Sequence, residues 1–131
     1  QAVDADSTHV GAHTNLGSLY TDLRDYESAE RELKTALRLD PGSAMVLTNL
    51  GTLYYAQQKY TVAVDKYREA LKNDPDSIEA HFNLAVAFAD AQVFDEAIRE
   101  WQKVVELDPD GSIGQISRDN IEMIREFRGE N

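Results

Sequence analysis

Apolar positions along the chain recur at three- and four-residue intervals, the spacing that places side chains on one face of a helix. One such set is Leu16, Gly17 and Tyr20, followed by Leu50, Gly51 and Tyr54, then Leu84, Ala85 and Phe88. A second set follows each of these: Ala29, Leu33 and Ala36; Ala63, Tyr67 and Ala70; Ala97, Trp101 and Val104. Non-helical breaks near Arg24-Asp25, Gln58-Lys59 and Gln92-Val93 separate the paired stripes. Each second stripe ends at Asp-Pro, where proline cannot continue a helix and restricts the residue before it. The pattern predicts three helix-turn-helix hairpins.

The hairpins are copies of one unit. "NLGSLY" (15–20), "NLGTLY" (49–54) and "NLAVAF" (83–88) recur every 34 residues, and so do the only three prolines, Pro41, Pro75 and Pro109. The longer stretches "YESAERELKTALRLDP", "YTVAVDKYREALKNDP" and "FDEAIREWQKVVELDP" keep the same register. L-G-x2-Y, then A-x3-aromatic, then A, then P, at this period, closely resembles the tetratricopeptide repeat (TPR). The resemblance covers residues 10–43, 44–77 and 78–111. It implies an all-α, right-handed superhelical solenoid. Two positions depart from the family pattern. The early tryptophan is replaced by His13, Leu47 and His81, and the glycine of the mid-repeat turn by Arg24, Gln58 and Gln92, which predicts strained turns.

A glycine inside a helix costs about 1 kcal/mol relative to alanine, so Gly17 and Gly51 imply a close helix–helix approach, with Ala29 and Ala63 expected opposite them. Tyr20, Tyr54 and Phe88 are expected to fill the gaps between hairpins, and Val104 to open the third hairpin slightly.

After the last Asp-Pro, residues 112–131 hold no second repeat helix. Ile113, Ile116, Ile121, Ile124 and Phe127 share a broad arc, and Ser112 with Gln115 fits a capping box. This predicts an amphipathic helix that covers the last hydrophobic face of the stack. At the other end, residues 2–7 align with the end of a second helix (36–41). Residues 1–9 therefore read either as the tail of a preceding repeat or as a degenerate leader.

Composition narrows the function. The 131 residues include 24 acidic and 13 basic side chains, a net charge of −11, so phosphate backbones and anionic membranes are poor partners. Without cysteine there is no disulfide, thiol catalyst or thiolate metal site. No run approaches the roughly 18 apolar residues of a membrane span and no signal peptide is visible, so the expectation is a cytoplasmic setting. His9, His13 and His81 are the only histidines. The last two sit at equivalent positions roughly 20 Å apart, at about 10 Å per helix layer, and read as packing residues. With no nucleophile–base pair and no phosphate loop, no catalysis, metal or cofactor is expected.

Binding is the better reading. In the TPR family the first helices line a concave groove, and the resemblance implies that its wall here carries Thr14, Thr48 and Phe82; Asn15, Asn49 and Asn83; Ser18, Thr52 and Val86; Asp22 and Asp90; with Met45, Tyr55 and Glu79 beside them. None is basic. Chaperone-binding members hold a C-terminal carboxylate with groove lysines and arginine, whereas the corresponding positions here include Thr14, Ser18, Glu79 and Asn83, and only Asn49 agrees. The asparagine column instead resembles the ladder of the O-GlcNAc transferase repeat array. One amide per repeat can donate to and accept from a peptide unit of an extended ligand; the alternative is a polar residue tolerated at the helix surface. Phe82, Val86, Met45 and Tyr55 are expected to form an apolar anchor patch, and Asp22, Glu79 and Asp90 an acidic rim favouring a neutral or basic peptide. Self-assembly through exposed repeat edges, or a docking segment of a larger enzyme, are the competing functions.

Overall fold

The computed structural model describes residues 2–130, which form seven α-helices: α1 (Ala2–Asp22), α2 (Tyr26–Leu39), α3 (Ala44–Ala56), α4 (Tyr60–Asn73), α5 (Ile78–Asp90), α6 (Phe94–Leu107) and α7 (Ser112–Phe127). Residues 2–7 continue into the first helix without a break. Consecutive helices pair as α1–α2, α3–α4 and α5–α6, and α7 packs on α6. The first helices also touch one another, α1 on α3 and α3 on α5, while α2 and α4 reach the next hairpin through its first helix. The stack therefore curves towards α1, α3 and α5.

The local signals work as physical chemistry requires. Ser43 and Ser77 cap α3 and α5 by accepting from the backbone N–H of Val46 (3.2 Å) and Ala80 (3.1 Å). Asp40, Asp74 and Asp108 are the last capping residues of the second helices, each just before its proline. Inside each hairpin the turn is a Schellman closure: Asp25, Lys59 and Val93 donate to the carbonyls of Tyr20, Tyr54 and Phe88 at 2.9, 2.9 and 2.8 Å. That closure puts its central residue in the left-handed region, and Arg24, Gln58 and Gln92 adopt φ of 64°, 62° and 63°. The strain expected from the missing glycine is present in all three turns.

The glycines do approach the paired helix closely, but one turn further along than expected. A Cβ on Gly17 would lie 2.5 Å from Leu33 Cγ, and one on Gly51 would lie 2.5 Å from Tyr67 Cε1. The partner is the large residue of the second stripe, not Ala29 or Ala63: the bulky side chain uses the space that glycine leaves. Val104 is fully buried. Tyr54 does bridge hairpins, packing against both main core clusters. Its hydroxyl donates to Glu30 of α2 at 2.9 Å.

At the C-terminal end Gly114, Ser117 and Ile121 are the buried residues of α7, with Ile124 packed beside them. Ile113, Ile116 and Phe127 lie largely exposed, so the packing stripe is narrower than the predicted arc. The capping box is replaced too. Gly111 is the N-cap, and the Asp108 carboxylate accepts from the Gly114 N–H at 3.0 Å. Ser112 is already the first helical residue, so its hydroxyl cannot reach back as a cap. The far end of α7 is held on α6 by Arg128–Asp95 at 2.8 Å and an edge-on Phe94–Phe127 contact.

Candidate functional site

The face built by α1, α3 and α5 takes its character from what those helices lack: none of the three contains a lysine or arginine. Asn15, Asn49 and Asn83 recur at the same phase of these helices. Asn15 is exposed, and the other two are half-buried. Asn49 donates to the Met45 carbonyl of its own helix at 3.0 Å. Among the described residues the amides of Asn15 and Asn83 have no hydrogen-bond partner. Ser18, Asp22, Met45 and Asp90 are exposed, and Phe82 and Val86 half-buried.

Three expected groove residues are committed elsewhere. Thr14 and Thr48 are buried, and their hydroxyls donate back to the carbonyls of Val10 (2.6 Å) and Ala44 (2.7 Å). A threonine is short enough for the neighbouring helices to close over it, and the carbonyl four residues back satisfies its hydroxyl. Phe82, at the same position of the third repeat, is too large to be covered in this way. Thr52 bonds the Thr48 carbonyl and the Tyr67 hydroxyl, at 3.1 and 3.0 Å, and so supports a core aromatic. Burial pushes the Tyr67 phenol up to about 12.

Two predicted residues meet each other. The Tyr55 hydroxyl of α3 donates to the Asp90 carboxylate of α5, and the Tyr55 ring packs at 5.7 Å on Tyr60. Burial, and then the Asp90 carboxylate, raise the Tyr55 phenol. This link ties two neighbouring first helices together and takes Asp90 out of the set of unpaired carboxylates.

A cavity of about 360 Å³ opens between α5 and α7, bounded by Ile78, Glu79, Phe82, Asn83 and Ile113. It gathers Phe82, Asn83 and Glu79 as expected, but Val86, Met45 and Tyr55 do not join it. Ile78 and Ile113 were not foreseen as part of this wall. Extending the 34-residue register one step would have found Ile113, which falls in the column of Met45 and Glu79. Another cavity, about 450 Å³, lies between α6 and α7 beside Gln102, Val105, Arg118, Ile121, Glu122 and Arg125, and contains no predicted site residue.

His13 and His81 are engaged by neighbouring groups, whereas His9 is exposed. His13 Nδ1 lies 2.7 Å from Glu32, and His81 Nδ1 lies 2.6 Å from Glu100 with Nε2 2.7 Å from the Pro75 carbonyl. Both pairs fasten a first helix to its own second helix. Among the described residues no cluster of three metal-ligating side chains forms, and no helix is long and apolar enough to cross a membrane.

Paired helices stacked in register, curving towards a face of first helices, define a helical-repeat solenoid of the kind used for protein interaction. The tetratricopeptide repeat family profile matches residues 14–78 and 48–112, and the chain belongs to that family. No curated protein matches it. Among solved structures it is similar to Pseudomonas aeruginosa pilF, with a TM-score of 0.88 and 20% identity over 96% of this chain and 56% of that one. The first TPR of Spaghetti (RPAP3), bound to the HSP90 peptide SRMEEVD, superposes with a TM-score of 0.82 at 20% identity, covering 94% of this chain and 95% of that one. The Yersinia enterocolitica type III secretion translocator chaperone SycD, in an alternative dimer, gives 0.83 at 18%, covering 91% and 93%. At these identities the likeness establishes the fold alone: the right-handed superhelical TPR solenoid.

Proposed function

We propose that this chain is a non-catalytic interaction module that holds an extended peptide or partner segment against α1, α3 and α5, in a cytoplasmic setting. The observation that carries the reading is the asparagine column: one amide per first helix at a fixed phase, two of the three without a partner. Stacked helices repeat at about 10 Å and an extended chain advances about 3.3 Å per residue, so each amide meets about every third peptide unit. The solved relatives support an interaction role in general, one of them being bound to a peptide and another being a chaperone. The peptide in that complex is acidic, and a face without lysine or arginine repels such a ligand. The ligand of this chain is neutral or basic.

Changing Asn15, Asn49 and Asn83 together to Ala tests the ladder in a pull-down with the immobilised chain. At about 0.5–1.5 kcal/mol per hydrogen bond, the affinity for captured partners falls tenfold or more while circular dichroism stays unchanged. Undiminished capture by the folded triple variant removes the ladder.

A second reading, self-assembly through a repeat edge, is favoured by one observation. Leu16 and Leu19 of α1, and Leu23 in the turn after it, are exposed at the N-terminal edge of the stack. Light scattering across a concentration series separates it from the first.

A further inference from the structure

The cavity between α5 and α7 combines three properties. Its walls are apolar: Ile78 and Phe82 are half-buried, and Ile113 presents its side chain from the capping helix. Its volume, about 360 Å³, lies near the lower end of the roughly 300–1,000 Å³ found for ligand pockets. It therefore admits one or two side chains rather than a packed helix. Its polar groups are an asparagine amide without a partner, Asn83, and an exposed carboxylate, Glu79, that forms no ion pair among the described residues. Neither α1, α3 nor α5 supplies a compensating cation, and the chain as a whole carries −11.

We infer that this cavity is a side-chain subsite for a bulky apolar residue followed by lysine or arginine in an extended segment of a partner protein. The apolar side chain lies between Phe82 and Ile113. The neighbouring cation meets Glu79, with its aliphatic stem along the cavity wall, and the Asn83 amide bonds the ligand backbone between them. The inference rests on the groove reading above and adds its specificity. A ladder of amides grips any extended chain, whereas this subsite sets the register and selects the sequence. Part of the subsite comes from α7, so the helix that covers the third hairpin also contributes to recognition.

The test uses short capped Gly/Ser peptides with Phe-Arg, Phe-Glu or Ser-Arg at the centre, titrated into the isotope-labelled full chain and followed by amide NMR. The Phe-Arg peptide is expected to shift the amides of Ile78–Asn83 and of Ile113 saturably. Phe-Glu and Ser-Arg are each expected to bind at least about tenfold more weakly, since one replaces attraction by repulsion and the other loses the buried ring. Glu79→Gln weakens the Phe-Arg peptide about two- to fivefold, the range of an exposed ion pair, and Ile113→Ser weakens it further. Both positions are exposed, so the variants keep the fold.

Equal binding of Phe-Arg and Phe-Glu overturns the subsite. So do shifts confined to α1 and α3 and untouched by Ile113→Ser, although the groove reading then survives. Broadening of the same amides with protein concentration alone means that a second copy fills the cavity, which also overturns it. The groove reading itself fails separately, when the triple asparagine variant captures partners as well as the parent chain.

Discussion

Leu19 of α1 and Ile121 of α7 occupy the same position of their repeat units, with Leu53 and Ala87 between them. Their exposures are 51% for Leu19, 0% for Leu53 and Ala87, and 7% for Ile121. This position faces the preceding hairpin, so each first helix buries its back on the unit before it. The C-terminal end of the stack meets that condition with a single helix. Laying Ile121 and Ile124 against the third hairpin closes its core, although no second helix follows α7 among the described residues. The N-terminal end has no such cover among the described residues, and Leu16, Leu19 and Leu23 lie open. Burial in a solenoid is thus decided by neighbours rather than by the repeat sequence, since the same leucine column is core in one unit and surface in another.

An alanine series down that column tests the comparison most severely. Leu53→Ala is expected to cost about 2–5 kcal/mol, as a fully buried leucine leaving a cavity, and Ile121→Ala towards the lower part of that range. Leu19→Ala is expected to stay within about 0.5 kcal/mol. Urea unfolding of the three variants gives the values directly. A cost at Leu19 comparable with that at Ile121 means that the open edge is covered in solution. If the cost then disappears on dilution, the cover is a second copy, as the self-assembly reading requires.

The same dependence on neighbours explains what the sequence revealed and what it did not. The helices, their hairpin pairing and the strained turns were legible, because periodicity, Asp-Pro stops and missing turn glycines act within a few residues of one another. Asn15, Asn49 and Asn83 were legible as a column for the same reason. Thr14 and Thr48 were misread because whether a short side chain on a first helix reaches the groove depends on how closely the adjacent helices pack over it. The partner of each glycine was misjudged by one helical turn, since only three-dimensional packing shows that Leu33 and Tyr67 take up the space. Ile113 was read as part of a capping arc, although the 34-residue register already puts it in the column of Met45 and Glu79; that it lines a cavity with Phe82 follows from the position of α7 beside α5.

A milder perturbation acts on the turns. Arg24, Gln58 and Gln92 hold left-handed backbone that costs an L-residue about 1–2 kcal/mol. Glycine removes that cost but loses more entropy on folding. Each change to glycine is therefore expected to stabilise its hairpin by about 0.5–1 kcal/mol. The two ends should differ in how the gain is distributed. Gln92→Gly strengthens a hairpin clamped by α7 and should raise the global urea midpoint. Arg24→Gly strengthens the open end, and should appear chiefly as slower amide hydrogen exchange in α1 and α2. A uniform gain in both variants indicates that the first hairpin unfolds only with the rest.

The smallest expected effect concerns the seams between hairpins. The first seam joins Tyr54 to the Glu30 carboxylate, and the second sets Arg68 over the Phe88 ring at 5.5 Å and joins Tyr55 to the Asp90 carboxylate. The Tyr54 hydroxyl, and after it Lys34, hold Glu30 below its ordinary value of 4.5 against the opposing effect of burial. A depressed carboxylate contributes stability that is present above the unfolded-state value and is lost as pH falls through the folded one. Acid should therefore loosen the first seam through Glu30 as pH falls through and below the ordinary carboxylate value of 4.5. Glu30 is 40% exposed, so solvent screening holds this contribution to a few tenths of a kcal/mol. Tyr54→Phe keeps the ring in the gap but removes the donor. Hydrogen exchange in α1 and α2 should then lose part of its acceleration over that pH window, while exchange in α5 and α6 stays as in the parent chain. Full parental acceleration of α1 and α2 in the Tyr54→Phe variant would assign the acid response to the general charge balance rather than to Glu30. The open end would then owe its weakness to the uncovered leucines alone.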